Sequence, residues 1–399
     1  TTENFNIQLL MKIIKMIYLY NFYRNLLKNN NYSYIIINHN CYIDQGMLAR
    51  IVISLDVKVI YFMGLNNIKK LYTKDKQSEY FRRPIYEYFL KVSKLDNIYQ
   101  YVNNYFYLKV NKHIESFDSY EFKNSHASSD ETLFKEMYKI SKETKIVVIA
   151  SSVLMDSILG SDGRLQIFKD VYEWLKNTLI FCSENHNIKV FLKPHPGEKG
   201  YATISSTQVL YELGLDAKIE LWPEKLDILE FAKHITLVIT PRGTLALEMP
   251  CFGIPSLVQG HGSYSGFGTV IEPKTLEEYK SVIMEAHNIQ KLNENDIKKA
   301  KILYFIHYVF LTYNRLPKKF NVTYSDFFKK YDFNIYLGEK ATESHYKEDA
   351  YKIMENKIDE FIDEYIHIYL EDFKKYLEND DLYFGETQNY QDLLEKLEC

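Results

Sequence analysis

The run Ile188-Lys-Val-Phe-Leu192, leading directly into Lys193-Pro-His-Pro196, is the stretch on which the fold reading turns. Five residues dominated by apolar and β-branched side chains, then a turn stiffened by two prolines, describe a buried parallel strand that delivers polar groups at its carboxyl end. The same pattern repeats on both sides of it. Upstream, Ile146-Val-Val-Ile-Ala150 reads as a strand, Gly160 to Gly163 as a polar loop, and Ile167 to Ser183 carries helical apolar spacing. Downstream, strands are expected at Ala217-Lys-Ile-Glu-Leu221, Ile235-Thr-Leu-Val-Ile-Thr240 and Ile254-Pro-Ser-Leu-Val258. Between them lie a short helix over Asp227 to Lys233 and a turn into a helix over Pro241-Arg-Gly-Thr-Leu-Ala-Leu-Glu248. Strands alternating with helices define the α/β class, with a parallel sheet wound on both faces.

The first sixty residues carry a second such unit. A helix is expected from about Asn6 to Lys28, a strand over Tyr34-Ile-Ile-Ile-Asn38, the loop His39-Asn-Cys-Tyr-Ile-Asp-Gln-Gly46, a helix through about Ser54, and a strand over Val57 to Phe62. Two Rossmann-like doubly wound lobes follow. Residues 65 to 135 are mixed and Tyr-rich, with a basic turn at Arg82-Arg83-Pro84 and a helical stretch near Tyr86 to Val92. After Pro317 the character changes, and Ser344 to Leu397 is charged, poor in glycine and helical in period. Such a stretch is either a solvated helical extension or a partner site, and solvation is the simpler reading. The expected division is 1–150, 151–316 and 317–399.

With 399 residues, about 150 per domain gives two to three domains, and 46% hydrophobic content supplies their cores. The balance of 49 Lys+Arg against 53 Asp+Glu leaves a net charge of −4, so no basic field draws in nucleic acid. Cys41, Cys182, Cys251 and Cys399 are far apart and in no metal-ligand spacing, which fits reduced thiols in a cytoplasm and no structural zinc site. No apolar run suffices to span a bilayer. Ile7 to Tyr23 is broken by Lys12 and Lys15, and Ile302 to Tyr313 contains His307, so each reads as a buried or interfacial helix. The first lacks the small-residue cleavage site of a signal peptide.

Ligands of doubly wound sheets sit at the carboxyl ends of the strands, and two sites follow strands here. Lys193-Pro-His-Pro196 sets a cation and the His195 imidazole in a fixed turn, suited to a phosphate; alternatively His195 only caps a neighbouring carbonyl. Thr240-Pro-Arg242-Gly243-Thr244 opens a helix whose N–H groups, dipole and Thr244 hydroxyl favour an anion, with Glu248 one turn further on. The alternative makes Thr244 an N-cap and Glu248 a supporting acid. GxGxxG and GxxxxGK[ST] are absent, so neither a nicotinamide fingerprint nor a P-loop is supported.

The stretches Leu154-Met-Asp-Ser157, Phe168-Lys-Asp-Val-Tyr-Glu-Trp-Leu175, Lys193-Pro-His-Pro-Gly-Glu198 and Gly253-Ile-Pro-Ser256, with Gly260, Tyr264, Phe267 and Pro273-Lys-Thr-Leu-Glu-Glu-Tyr279, resemble bacterial capsule polysaccharide biosynthesis proteins, the group that includes the Kdo transferases of capsule export. Asn38 to Gly46 with Arg50 is similar to that group's N-terminal loop and helix. The His-Pro element also resembles that of bacterial sialyltransferases, which use CMP-activated acidic sugars. The resemblance implies a GT-B glycosyltransferase: acceptor in the N-terminal lobe, nucleotide sugar in the C-terminal lobe, no obligatory metal or other cofactor. By that resemblance His195 contacts the donor phosphate, Lys193 adds charge, Arg242, Gly243 and Thr244 belong to the nucleotide site, and Glu248 lies beneath the nucleotide. The acidic catalytic motif of the acidic-sugar transferases is not evident.

An inverting transfer needs a carboxylate or a His beside the acceptor hydroxyl. Asp44, following the first strand, is the leading candidate and His39 the alternative, with Asp156 and Asp162 weaker; Asp44 is equally suited to cap the helix from Gln45 onward. The expected partners are a nucleotide-sugar donor and a glycan or lipid-linked glycan acceptor, met at the inner face of the cytoplasmic membrane or in a polysaccharide-assembly complex. A CDP-polyol phosphate transferase of the teichoic-acid type and a non-catalytic nucleotide- or glycan-binding scaffold are the competing readings.

Overall fold

The structure, a computed structural model, describes residues 7–37, 43–62, 68–71, 82–110, 131–154, 165–198, 204–224, 226–260, 262, 264–311, 367–378 and 386–398. Helix α1 (Ile7–Lys28), strand β1 (Tyr34–Ile37), α2 (Ile43–Ser54), β2 (Lys58–Phe62) and β3 (Ile68–Leu71) form the first unit. Its sheet has the order β1-β2-β3. β1 and β2 pair in parallel through α2, as expected, while β3 returns antiparallel to β2.

Next come α3 (Arg82–Val92), α4 (Ile98–Val110), α5 (Glu131–Met137), β4 (Ile146–Ala150), α6 (Val171–Glu184), β5 (Lys189–Lys193), α7 (Ser206–Glu212), β6 (Ile219–Leu221), β7 (Ile235–Thr240), α8 (Leu245–Glu248), β8 (Ser256–Val258), α9 (Leu276–Met284) and α10 (Glu294–Phe305). Strands β4 to β8 make one five-stranded sheet of order β6-β5-β4-β7-β8, in which every pairing is parallel. The chain winds outward from β4 to β6, then crosses to the other side of β4 for β7 and β8, the doubly wound order with its switch point between β4 and β7.

Alternation along β4 shows why helices cover both faces. Val147 and Ile149 join a core with Trp174, Leu175 and Leu179 of α6 and Tyr279 and Ile283 of α9. Ile146, Val148 and Ala150 face the opposite core, with Phe134, Trp222 and Phe231. All five are buried, so a near-continuous apolar run, rather than an alternating one, is what a central parallel strand requires.

The division expected at residue 150 does not match this packing. β4 is the central strand of the second sheet rather than the last element of the first unit. Tyr88 and Val92 of α3 and Val102 and Phe106 of α4 likewise share a core with Ala246 and Leu247 of α8 and with Leu303, Tyr304 and Phe305 of α10. The aromatic side chains of residues 82–110 bind them there: Phe106 meets Phe252 and Tyr304 edge-on, with ring centroids 5.2 and 5.5 Å apart. In the third region, α11 (His367–Glu378) and α12 (Glu386–Glu398) are helical as the period indicates. They are also packed, with Tyr376 and Leu393 buried. Tyr34 of β1 donates to the Leu377 carbonyl, and Asn389 donates to the Phe310 carbonyl.

Local expectations fail where side chains or prolines intervene. Arg82-Arg83-Pro84 begins α3 instead of forming a turn, because a proline in the first turn gives up an N–H that has no helical partner. Over Asp227 to Lys233 only a 3-10 turn, Ala232–His234, forms. Asp227 Oδ1 takes the Leu229 N–H at 2.9 Å, closing a local turn that competes with the helix. α4 carries no strong sequence signal and is settled by packing, whereas α7 and α9 open on side-chain caps, with Ser205 and Thr275 accepting the N–H groups of Gln208 and Glu278.

A buried polar knot holds α9 to α6. Trp174 Nε1 donates to the Tyr279 hydroxyl (2.9 Å), which meets Thr178 Oγ1 at 2.7 Å, and Thr178 Oγ1 donates to the Trp174 carbonyl. Burial pushes the Tyr279 hydroxyl upward in pKa, so it stays neutral and both donates and accepts. Tyr279→Phe strands the indole N–H, and chemical denaturation is expected to show a loss of about 1–3 kcal/mol with the native spectrum retained.

Candidate functional site

Both motifs reach the carboxyl edge of the five-stranded sheet on either side of its switch point. β5 ends in Lys193, and His195 follows two residues later. β7 ends in Thr240 and continues into Pro241-Arg-Gly-Thr244. Ser151, directly after β4, lies between them in strand order.

The turn after β5 is held from below by a carboxylate absent from the expected set of site residues. Glu198 is 7% exposed. Its Oε1 accepts from Ser151 Oγ at 2.8 Å, and its Oε2 from the Ser206 N–H and Oγ, each at 2.9 Å. Ser206 begins α7, so the negative charge sits at that helix's amino end. Ser151 Oγ in turn accepts the His195 N–H at 3.0 Å, and the Ser151 N–H donates to the Lys193 carbonyl at 3.0 Å. One buried carboxylate thus ties together the end of β4, the His-Pro turn and the start of α7. Sequence carries a faint sign of it: a Glu three residues after His195 in a glycine-containing turn.

His195 is half-buried. Its Nδ1 accepts the Gly197 N–H at 3.1 Å, which puts the proton of the neutral ring on Nε2. An imidazole so oriented presents Nε2–H as a donor, the polarity that suits an anionic oxygen.

Lys193 shares its strand face with Phe191 and is half-buried. Burial lowers its ammonium pKa, while the carboxylates of Asp227 and Glu248 act in the opposite direction. The structure therefore brings Glu248 of the second motif into electrostatic range of Lys193 of the first, along with Asp227, which sequence reasoning did not single out.

The second motif departs from expectation in its backbone. Thr240 Oγ1 accepts the Gly243 N–H at 3.1 Å, so that N–H is already engaged rather than offered to a nucleotide. A Cβ at residue 243 would lie 2.7 Å from the same Oγ1, which accounts for the glycine. Thr244 occupies the cap position of α8 but makes no capping hydrogen bond, so the simple cap reading fails there. α8 is a single turn that passes into a 3-10 turn at Met249–Phe252, and so little of the expected helix dipole develops. Arg242 lies against Gly260, where a Cβ would come within 3.1 Å of the Arg242 Cβ.

In the first unit, Asp44 falls inside the first turn of α2 and pairs with Lys15 of α1 at 2.8 Å, both side chains about half exposed. α2 begins at Ile43, so Asp44 does not occupy its cap position. His39, Asp156, Asp162 and the loop from Gly160 to Gly163 lie outside the described residues.

Fold and edge together define an α/β protein with a charged cluster at the switch point of a doubly wound sheet. No family model and no curated protein matches the chain. Among solved structures it is similar to KpsC, a β-Kdo 2,7 transferase of Thermosulfurimonas dismutans, at 15% identity and a TM-score of 0.38, over 70% of this chain and 87% of that one. It is also similar to a UDP-GlcNAc 2-epimerase of Neisseria meningitidis, at 9% identity and a TM-score of 0.30, over 74% of this chain and 80% of that one. A third similarity is to MnaA of S. aureus with UDP, at 12% identity and a TM-score of 0.33, covering 72% and 73%.

Glu198→Gln should disturb the turn more than its near-identical shape suggests, because an amide NH2 must replace an oxygen that now accepts from Ser151 or Ser206. We expect a lower melting temperature, corresponding to about 1–3 kcal/mol, and release of the His195 ring. The latter is checked by a change in its imidazole NMR shift, while a silent substitution leaves both unchanged.

Proposed function

We propose that the chain is a nucleotide-sugar-dependent glycosyltransferase of bacterial surface polysaccharide synthesis with the GT-B arrangement. In this reading it transfers Kdo or another acidic sugar from a CMP-linked donor to a glycan or glycolipid acceptor, on the cytoplasmic side. The observation that carries the proposal is the His195–Lys193 pair just beyond β5, with the imidazole's Nε2 oriented as a donor by Gly197 and the ammonium half-desolvated. The sequence resemblance described above supplies the sugar chemistry.

The reaction breaks the bond between the sugar's anomeric carbon and the donor phosphate, and forms one to the acceptor oxygen. Negative charge grows on the departing nucleotide phosphate, and His195 and Lys193 stabilise it where it develops. A metal is not required for that task when two cationic or proton-donating groups already face the phosphate. Arg242 and Thr244 contact the nucleotide beside it, and Glu248 lies beneath the nucleotide. Asp44 is the proposed base for the acceptor hydroxyl, with His39 as the alternative; the Lys15 ammonium against Asp44 is a partner that the acceptor hydroxyl has to share.

The test is nucleotide release from a panel of CMP-, CDP-, UDP- and GDP-linked donors in EDTA. Turnover with a CMP-sugar supports the reading, transfer from a CDP-polyol replaces it with polyol-phosphate transfer, and no turnover with any donor leaves a binding scaffold. On the active donor, His195→Ala is expected to reduce turnover about 10²–10³-fold, and activity within about threefold of the parent rejects the phosphate role.

Asp44→Asn separates two roles. As a base, Asp44 is needed for turnover, so kcat falls sharply while donor affinity by calorimetry is unchanged. As a tie to Lys15 alone, its loss costs only what an exposed ion pair contributes, about 0–1 kcal/mol of stability, and turnover persists.

A further inference from the structure

α1 is an unusual surface element. Across Ile7–Lys28 only Leu27 is fully buried among the side chains described, and eleven large apolar side chains are exposed. The most exposed include Ile7 at 78%, Tyr18 at 66% and Met11 at 62%. At about 100° per residue, Ile7, Met11, Ile14, Tyr18 and Phe22 fall within about 80° of one another. They lie on the side opposite Leu27 and Tyr23, which dock the helix against the core beneath α2. The helix carries Lys12, Lys15, Arg24 and Lys28 and no acidic residue, in a protein whose net charge is −4. On the helical projection these cations flank the exposed stripe on both sides.

We propose that α1 is a membrane-surface helix that lies in the interface of an anionic lipid bilayer. Its stripe enters the acyl boundary, and Lys12, Arg24 and Lys28 reach the headgroup phosphates while Lys15 is held by Asp44. A stripe of large apolar side chains bordered by Lys and Arg is the composition of interfacial helices, and the long basic side chains extend their charged ends to the phosphates while their stems cover apolar surface. The charge sign selects anionic lipid over a neutral surface. Among the described residues no helix is long and apolar enough to cross a membrane. The Lys15–Asp44 pair and Leu27 fix the helix to the first unit, so docking sets that unit on the membrane. The inference rests on the helix alone and stands whether or not the proposed reaction is correct.

Co-sedimentation with vesicles of phosphatidylcholine mixed with phosphatidylglycerol, against phosphatidylcholine alone, tests it without any activity measurement. The full chain is expected to bind the mixed vesicles, to bind the neutral ones far less, and to be released by salt. Ile14→Asp with Tyr18→Asp should weaken binding about tenfold or more at an unchanged melting temperature. Lys12→Glu with Lys28→Glu, which leaves the stripe intact, should remove the preference for anionic lipid. Tyr18→Trp provides a further readout: its emission should shift to the blue on mixed vesicles. Lack of binding by the parent, or equal binding by the Ile14/Tyr18 variant, overturns the proposal. So does a parent dimer in light scattering that the same variant abolishes without any lipid binding, which would make the stripe a surface for a second copy.

Discussion

A carboxylate removed from water is costly unless its oxygens are hydrogen-bonded, and Glu198 meets that condition only while three separate pieces of chain stay in place. Ser151 comes from the end of β4, Ser206 from the start of α7, and the His195 N–H arrives through Ser151. The knot therefore converts a general property of parallel sheets, that their carboxyl ends gather loops on one edge, into a specific arrangement of that edge. Lys193 is placed by the last rung of β5, and His195 by the turn that Glu198 secures. Without this constraint the His-Pro turn would keep its two prolines and the Gly197 N–H on the His195 ring, but would lose its tie to β4 and α7.

The two motifs contribute unequally. After β5, backbone and side chains converge on an imidazole and an ammonium. After β7, the chain spends its hydrogen bonds on itself: Thr240 takes the Gly243 N–H, and Pro241's carbonyl accepts from both Gln259 and Gly260. What the second motif offers the edge is side chains, among them the Glu248 carboxylate, whose charge acts on the Lys193 ammonium against the effect of burial. The proposed phosphate site would accordingly centre on β5, with β7 in support.

How far the sequence could be read follows from the physics of each element. β4, β5 and β7 were legible because a strand buried on both faces must be apolar throughout, and few other structures demand that of five consecutive residues. α1, α2 and the helical character of the last region were legible from period and composition. α3 was read over Tyr86 to Val92, but α4 was obscured because its aromatic side chains pack against α8 and α10, far along the sequence, and no local pattern reports such partners. Lys193 and His195 stood out because strand ends are where charged residues are exceptional. Glu198 did not, since an acid in a glycine-containing turn is ordinary until its burial is known, and Asp227 looked like part of a helix that its own side chain prevents.

The cluster that joins α3 and α4 to α10 is completed by α12, whose Leu393 is buried in it and whose Tyr390 meets Phe310 edge-on and lies beneath the Lys91 ammonium. Residues near position 90 thus wait for partners some 300 positions later. The central strands β4, β5 and β7 are packed by residues between 134 and 289. During synthesis these two parts of the molecule are on different clocks: the central strands can close while the ribosome is still translating, whereas the apolar face of α3 and α4 is covered only as α8 and α10, and last α12, emerge. Contacts so distant in sequence are formed late, and an apolar surface left uncovered for that interval is the kind that chaperones engage and that aggregation exploits.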